Sequence, residues 1–172
     1  MINCSKNLSL AVVSIYRSPL DVTLFIDGDA LPNLLKPILV RAIDRLALET
    51  IVISNKKIFL GESIHIVYHL VELGADAADD EIVDRVGAGD LVITADIPLA
   101  SRVIERSAHA LDHRGDLFTT ENIKQLLAMR NLMESIRDSG ERTRGPAPFG
   151  KKDAHAFASA LDRTLHKIRR GA

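Results

Sequence analysis

The sequence predicts an α/β protein built on a mainly parallel sheet, and three observations carry that prediction. From residue 23 onward, short β-branched runs alternate with segments of helical length, the pattern of consecutive βαβ units. Three segments place aspartates at or next to apolar runs: LFIDGD at 24–29, GADAADDE at 74–81 and LVITAD at 91–96. A chain of 172 residues with 47% hydrophobic side chains is also long enough for one domain with a substantial core. That domain is expected over 23–172. Residues 1–22 read as an N-terminal extension, compatible with an appended strand, a tail or a misplaced start.

The elements follow in order. Strands are expected at 23–27, 50–54, 63–67 and 90–94, with a weaker one at 108–111. Between the first two, Leu34, Leu35, Ile38, Leu39, Ala42, Ile43 and Leu46 recur at helical spacing, leaving Lys36, Arg41 and Arg45 to solvent. Pro37 lacks an N–H and crowds the preceding turn, so the regular helix there starts late or kinks. A second helix is expected over 79–86, stopped by Gly87, and a third over 97–107, with Pro98 tolerated in its first turn. A longer helix over 120–138 carries Ile123, Leu126, Leu127, Leu132, Met133 and Ile136. Residues 139–152 (SGERTRGPAPFGKK) form a basic Gly/Pro-rich loop, and a helix over 153–170 closes the chain, with Asp153 as its N-cap.

Composition excludes more than it selects. The 22 basic and 23 acidic side chains give a net charge of -1, so any nucleic-acid surface must come from local clustering. A single cysteine, Cys4, rules out an internal disulfide framework and a CxxC zinc site, and suits a reducing compartment. No apolar run approaches the roughly 20 residues that cross a bilayer. Residues 8–16, after Lys6, have the outline of a signal-peptide core, but Ser9 and Ser14 interrupt them and no A-x-A site follows. A cytoplasmic protein without membrane contact is therefore expected.

The acids carry the functional reading. Side chains leaving the carboxyl ends of parallel strands converge on one crevice. Asp27 and Asp96 fall at such ends, and Asp29, two residues beyond Asp27, faces the same way in an extended segment. Asp76, with Asp79 or Asp80, leads into the second helix, where positions three or four apart share a face. A helical step of about 100° separates Asp79 from Asp80, and the pattern leaves open which of them faces the crevice. Clustered carboxylates repel one another, and hard divalent cations such as Mg2+ or Mn2+ relieve that repulsion through the oxygen ligands they prefer. Two such ions about 3.5–4 Å apart activate a water and stabilise the leaving oxygen of a phosphodiester. Each acid alone has an ordinary reading as a turn residue or helix cap, and Asp90 after Gly89 reads that way. The convergence of three segments is what favours a site.

The strings FIDGDALPNLLKPIL, VISN, GADAADDEIVDRVGAGDLVITADIPLA, LDHRG, LFTTENI and MRNLMESIRDSG resemble the YaiI/YqxD family, small uncharacterised bacterial proteins assigned a PIN-like nuclease fold. The resemblance covers residues 23–165 and is most specific over 87–100. It implies a three-layer α/β/α PIN-like domain whose acids bind Mg2+ or Mn2+ for RNA cleavage. The family's acids fall on Asp27 and Asp29, on Asp79, and on Asp96 of the TAD motif, with Asp76 as a secondary metal ligand. In that reading Asp27, Asp79 and Asp96 hold the metal and Asp29 completes the shell. Gly28 and Leu31 stand where the family more usually carries Ala and Cys, and Pro37 where it carries a helix former; no candidate ligand is lost.

Around the acids, Asn55 and Lys56 would bring an amide and a cation beside the crevice, although a turn with solvated lysines is the readier explanation. Thr94 precedes the TAD aspartate and would orient it, while Arg102 and Arg114 are candidate phosphate contacts that also read as surface cations. Arg142, Arg144, Lys151 and Lys152 suit backbone contact or a mobile loop. His65 and His69 are not a metal pair, because in a strand positions i and i+4 lie roughly 13 Å apart. Only 4% of residues are aromatic, which leaves no platform for base stacking. Two other functions stay open. FIDGD also resembles the DxD signature of haloacid-dehalogenase-like phosphatases, with Asp27 as nucleophile, Asp29 as acid/base and Ser54 ending the second strand, although a helix starts too soon after Asp29 for that fold's flap. The third reading is a non-catalytic module that binds RNA or a protein through a structural acid cluster.

Overall fold

The computed structural model describes residues 22–72, 74, 76–139 and 147–171. The extension up to residue 21, and Arg142 and Arg144, lie outside the described residues. A six-stranded sheet in the order β3-β2-β1-β4-β5-β6 forms the middle layer. Its strands are β1 (Leu24–Asp27), β2 (Thr50–Ser54), β3 (Ile66–Leu70), β4 (Leu91–Ile93), β5 (His109–Leu111) and β6 (Leu117–Phe118). All neighbours run parallel except β5 and β6, which form an antiparallel edge.

The alternation of side chains along β1 builds the two outer layers. Leu24 and Ile26 point to one face, where they pack with Leu39 and Ile43 of α1 (Lys36–Leu46) and with Phe157, Leu161 and Leu165 of α5 (Lys151–Arg169). Phe25 points to the other, against Ile82 of α2 (Ala77–Arg85), Leu99 and Val103 of α3 (Ile97–Glu105) and Ile123 of α4 (Ile123–Asp138). Helices on both faces of a mainly parallel sheet make a three-layer α/β/α fold. Among the described residues no helix is long and apolar enough to cross a membrane.

Most boundaries agree with the sequence pattern, and the differences have local causes. Pro37 does delay the helix: a 3-10 turn at Asn33–Leu35 comes first, and Pro37 then sits in the first turn of α1, where its missing N–H costs nothing. β3 begins three residues later than expected. The Ser63 hydroxyl accepts from the His65 N–H and donates to Asp44, which holds 63–65 in a turn, and pairing with β2 then starts at Ile66. Asp153 is not the cap of α5. The helix starts two residues earlier, and the Asp153 carboxylate reaches back to the Gly150 N–H at 2.8 Å, one half of a capping box. The two-residue strand β6 was not expected from sequence.

Candidate functional site

The chain runs outward from β1 to β2 and β3, then returns to β4 on the other side of β1. The carboxyl ends of β1 and β4 therefore mark the switch point of the sheet, where ligands bind in open α/β folds. A cavity of about 350 Å³ lies there, and Asp27, Asp29, Asn55, Asp76, Asp79 and Asp96 line it, with small residues such as Ala30, Ala77 and Ala95 between them.

Each acid is positioned by its own element. Ile26 stands beside Ile93 in the β1–β4 ladder, so Asp27 comes next to Thr94 one step further on, both on the face that carries Phe25 and Val92. The Thr94 hydroxyl donates to Asp27 Oδ2 at 2.9 Å and accepts from the Asp96 N–H at 3.0 Å. The other carboxylate oxygen of Asp27 accepts from the Asp29 N–H at 3.1 Å. Asp29 accepts from the Asn55 N–H at 3.0 Å, and Lys56 donates to the Asp29 carbonyl at 2.6 Å. Asp96 caps α3, accepting from the Leu99 N–H at 2.9 Å. Asp76 is the N-cap of α2 in a left-handed conformation (φ 64°), and Asp79 follows in the first helical turn.

Electrostatics mark Asp79. Its pKa is pushed up to about 6, first by burial and then by the charges of Asp96, Asp27 and Asp76, with Arg102 opposing. Burial also raises the pKa of Asp27, which is 6% exposed, against the lowering effect of the Thr94 and Asp29 hydrogen bonds. The acids thus repel one another, and Arg102 offsets only part of that repulsion at Asp79. They are not gathered into a ready-made ligand cage: among the described residues no three His, Cys, Asp or Glu side chains stand close enough to hold one ion.

The other sequence candidates separate clearly. Asp79, not Asp80, faces the cavity, and Asp80 turns outward to pair with Arg102 at 2.7 Å. Arg102 does not line the cavity, although its charge acts on Asp79. Arg114 is engaged elsewhere: it bonds Asp153 at 2.8 Å and the Ala147 carbonyl at 2.6 Å, and lies over the Phe149 ring. Thr94 is fully buried, so it meets the acids and not a ligand in the cavity. Asp90 is a buried turn residue whose carboxylate accepts from the Thr23 and Gly87 N–H groups. His69 lies 3.2 Å from Glu81, away from the crevice. Sequence reasoning missed His113. It is 5% exposed, its pKa is lowered by burial against the charges of Asp112 and Asp27, and its Nε2 is buried without a hydrogen-bond partner among the described residues. The signal was present: LDHRG follows β5, and β5 lies beside β4, so its carboxyl end reaches the same rim.

Fold and site together define a three-layer α/β/α protein with an acidic crevice at the switch point of its sheet. The model of the family described as "Uncharacterized BCR, YaiI/YqxD family" matches residues 25–167, and the chain belongs to that family. Among its relatives, a "UPF0178 protein" of a Sulfurovum species is 65% identical over 146 residues, 85% of this chain and 99% of the relative. Another from Sulfurimonas denitrificans is 63% identical, covering 84% and 95% of the two chains, and one from a Nitratiruptor species is 59% identical, covering 86% and 97%. No solved structure matches the chain.

Proposed function

We propose that the crevice binds Mg2+ or Mn2+ and that the protein is a metal-dependent PIN-like ribonuclease that hydrolyses phosphodiester bonds. The observation that carries this reading is the meeting of Asp27, Asp29, Asp76, Asp79 and Asp96 around one open cavity, with the Asp79 pKa raised to about 6 by burial and by its neighbours. The donor set fits a hard divalent cation, since every side-chain carboxylate is an oxygen ligand and the uncompensated repulsion is what a cation relieves. The spread of the acids suits an ion that keeps several waters and takes one or two carboxylates, as Mg2+ does. Asp27, Asp79 and Asp96 would hold the metal, one or two of them directly and the others through its waters, with Asp76 and Asp29 lining the same cavity.

When bound, such an ion supplies an activated water and charge neutralisation for the phosphodiester. The chain's own residues prepare the site. Thr94 fixes the rotamer of Asp27 and ties it to the start of α3, so the β1 and β4 acids keep their spacing. The Asn55 backbone N–H holds the Asp29 carboxylate, and the Lys56 ammonium donates to the Asp29 carbonyl, which makes Lys56 the candidate cation for a substrate phosphate. The phosphatase reading has less support, because both oxygens of Asp27 already accept hydrogen bonds and its carboxylate is nearly buried, a poor setting for a nucleophile.

The test is cleavage of a panel of single-stranded and structured RNAs by purified protein with Mn2+. Among the described residues the Asp79 carboxylate makes no capping bond, so Asp79→Asn should keep the fold and abolish cleavage. An intact RNA panel, or cleavage that survives Asp79→Asn, overturns the nuclease reading. RNA binding that persists with chelator and without cleavage would favour the non-catalytic module.

A further inference from the structure

On the α1/α5 face of the sheet, a second cavity of about 210 Å³ lies between α5 and the β5–β6 hairpin. His109, Arg163, Thr164 and Lys167 line it, over apolar contacts from Leu117 and Ile168. Arg163 and Lys167 are four residues apart on α5 and so share a helix face. His109 enters from the first residue of β5. Its same-face neighbour Leu111 packs in the cluster that includes Phe157 and Leu161 of α5. Burial, and after it the charge of Lys167, lowers the pKa of the half-buried His109 imidazole and so favours the neutral ring, which has an N–H to donate.

Among the described residues no carboxylate lines this cavity. Among the described residues, Arg163 and Lys167 form no ion pair and no side-chain hydrogen bond. The nearby acids of α5 are committed elsewhere, Asp162 to Arg45 at 2.5 Å and Asp153 to Arg114. Two like charges on one helix face repel, and an anion placed between them removes that cost. A planar guanidinium, an ammonium, a hydroxyl and an imidazole N–H converging on one hollow can serve several oxygens of a single tetrahedral group at once.

We propose that the cavity between α5 and the β5–β6 hairpin binds a phosphate group through Arg163, Lys167, Thr164 and His109. The group belongs either to a small phosphorylated molecule or to a nucleic-acid backbone. The site is separate from the acidic crevice, whose side chains lie toward the other face of the sheet, and it does not depend on the function of that crevice.

The experiment is a titration of the full chain with inorganic phosphate, followed by amide and imidazole chemical shifts. The resonances of His109 and Thr164 should move saturably, while those of Asp79 and Asn55 stay still. The double variant Arg163→Gln/Lys167→Gln changes two exposed side chains and should melt like the parent, yet weaken phosphate binding by about tenfold or more, since it removes both charge-assisted contacts. A Lys124→Gln control on α4 should bind as the parent does. A short single-stranded RNA added to the phosphate-loaded protein then separates the two sources. Displacement of phosphate identifies a backbone site, and undisturbed phosphate identifies a site for small phosphorylated molecules. Absence of saturable shifts at His109 and Thr164, or equal binding by the double variant, overturns the proposal.

Discussion

Asp79 is under opposing demands from folding and from the crevice. Its folded pKa of about 6 lies above the ordinary value of 3.8, so the folded state holds the Asp79 proton more tightly than the unfolded chain does. The stability linked to this group is therefore full below about pH 3.8 and lost as pH rises through about 6. Without metal, Asp79→Asn should raise the melting temperature at pH 7, and the gain should vanish below about pH 4. Thermal melts of both proteins across that range check this; a variant less stable at pH 7 would contradict it. Addition of Mn2+ should stabilise the parent and leave Asp79→Asn nearly unmoved. Thr94 makes the complementary case. Thr94→Val keeps the shape but strips Asp27 of a donor and the Asp96 N–H of an acceptor, at a cost of about 1–3 kcal/mol. Denaturant midpoints should show that loss, and Thr94→Ser should recover most of it. The sequence marked Thr94 as a neighbour of the TAD aspartate; that its hydroxyl belongs to Asp27, 67 residues away, follows from the β1–β4 register.

At the scale of elements, the first turn of α3 combines structure with the site. Asp96 caps the helix through the Leu99 N–H, so a loss of function on its removal is ambiguous by itself. Asp96→Ala should cost about 1 kcal/mol through the lost cap. Asp96→Ser keeps a capping oxygen without the carboxylate, so it should melt close to the parent and still lose metal-dependent stabilisation. Equal metal response in parent and Asp96→Ser would remove Asp96 from the ligand set. The β5–β6 hairpin depends on Gly115, whose φ is 92° and whose added Cβ would stand 2.8 Å from the Ala156 carbonyl oxygen on α5. Gly115→Ala should therefore destabilise the fold by about 1–3 kcal/mol, seen in denaturant midpoints. Helices α1 to α4 and strands β1, β2 and β4 were legible from their apolar runs and spacing, and β5 more weakly so. The start of β3 and the whole of β6 were not. Both are set by partners, the Ser63 turn with the β2 register in one case and the Asp112–Asp116 turn that brings Leu117 beside Leu111 in the other.

Across the whole molecule, burial of imidazoles adds a pH dependence of opposite sign to that of Asp79. His113 and His109 both have folded pKa values below the ordinary 6.5, with burial the main cause. As pH falls below about 6.5 the unfolded chain takes up protons first, so the stability held by neutral histidines is present above that value and lost toward lower pH. Because the carboxylates of the crevice titrate with the opposite sign, the test is a difference: the denaturant midpoint of His113→Gln should rise relative to the parent's as pH falls from about 7 to about 5, and an unchanged difference would refute the assignment. By itself the sequence determined the α/β class and named the acids that stand at strand and helix ends, because hydrophobic periodicity and residue type are local properties of the chain; the three-layer arrangement was what the family resemblance implied. Only the tertiary structure decided that Asp79 and not Asp80 faces the crevice, that Arg114 braces α5, and that His113 sits buried beside the acids. Those outcomes depend on strand order and helix rotation, which are fixed by packing against distant segments and leave no mark in the spacing of neighbouring residues.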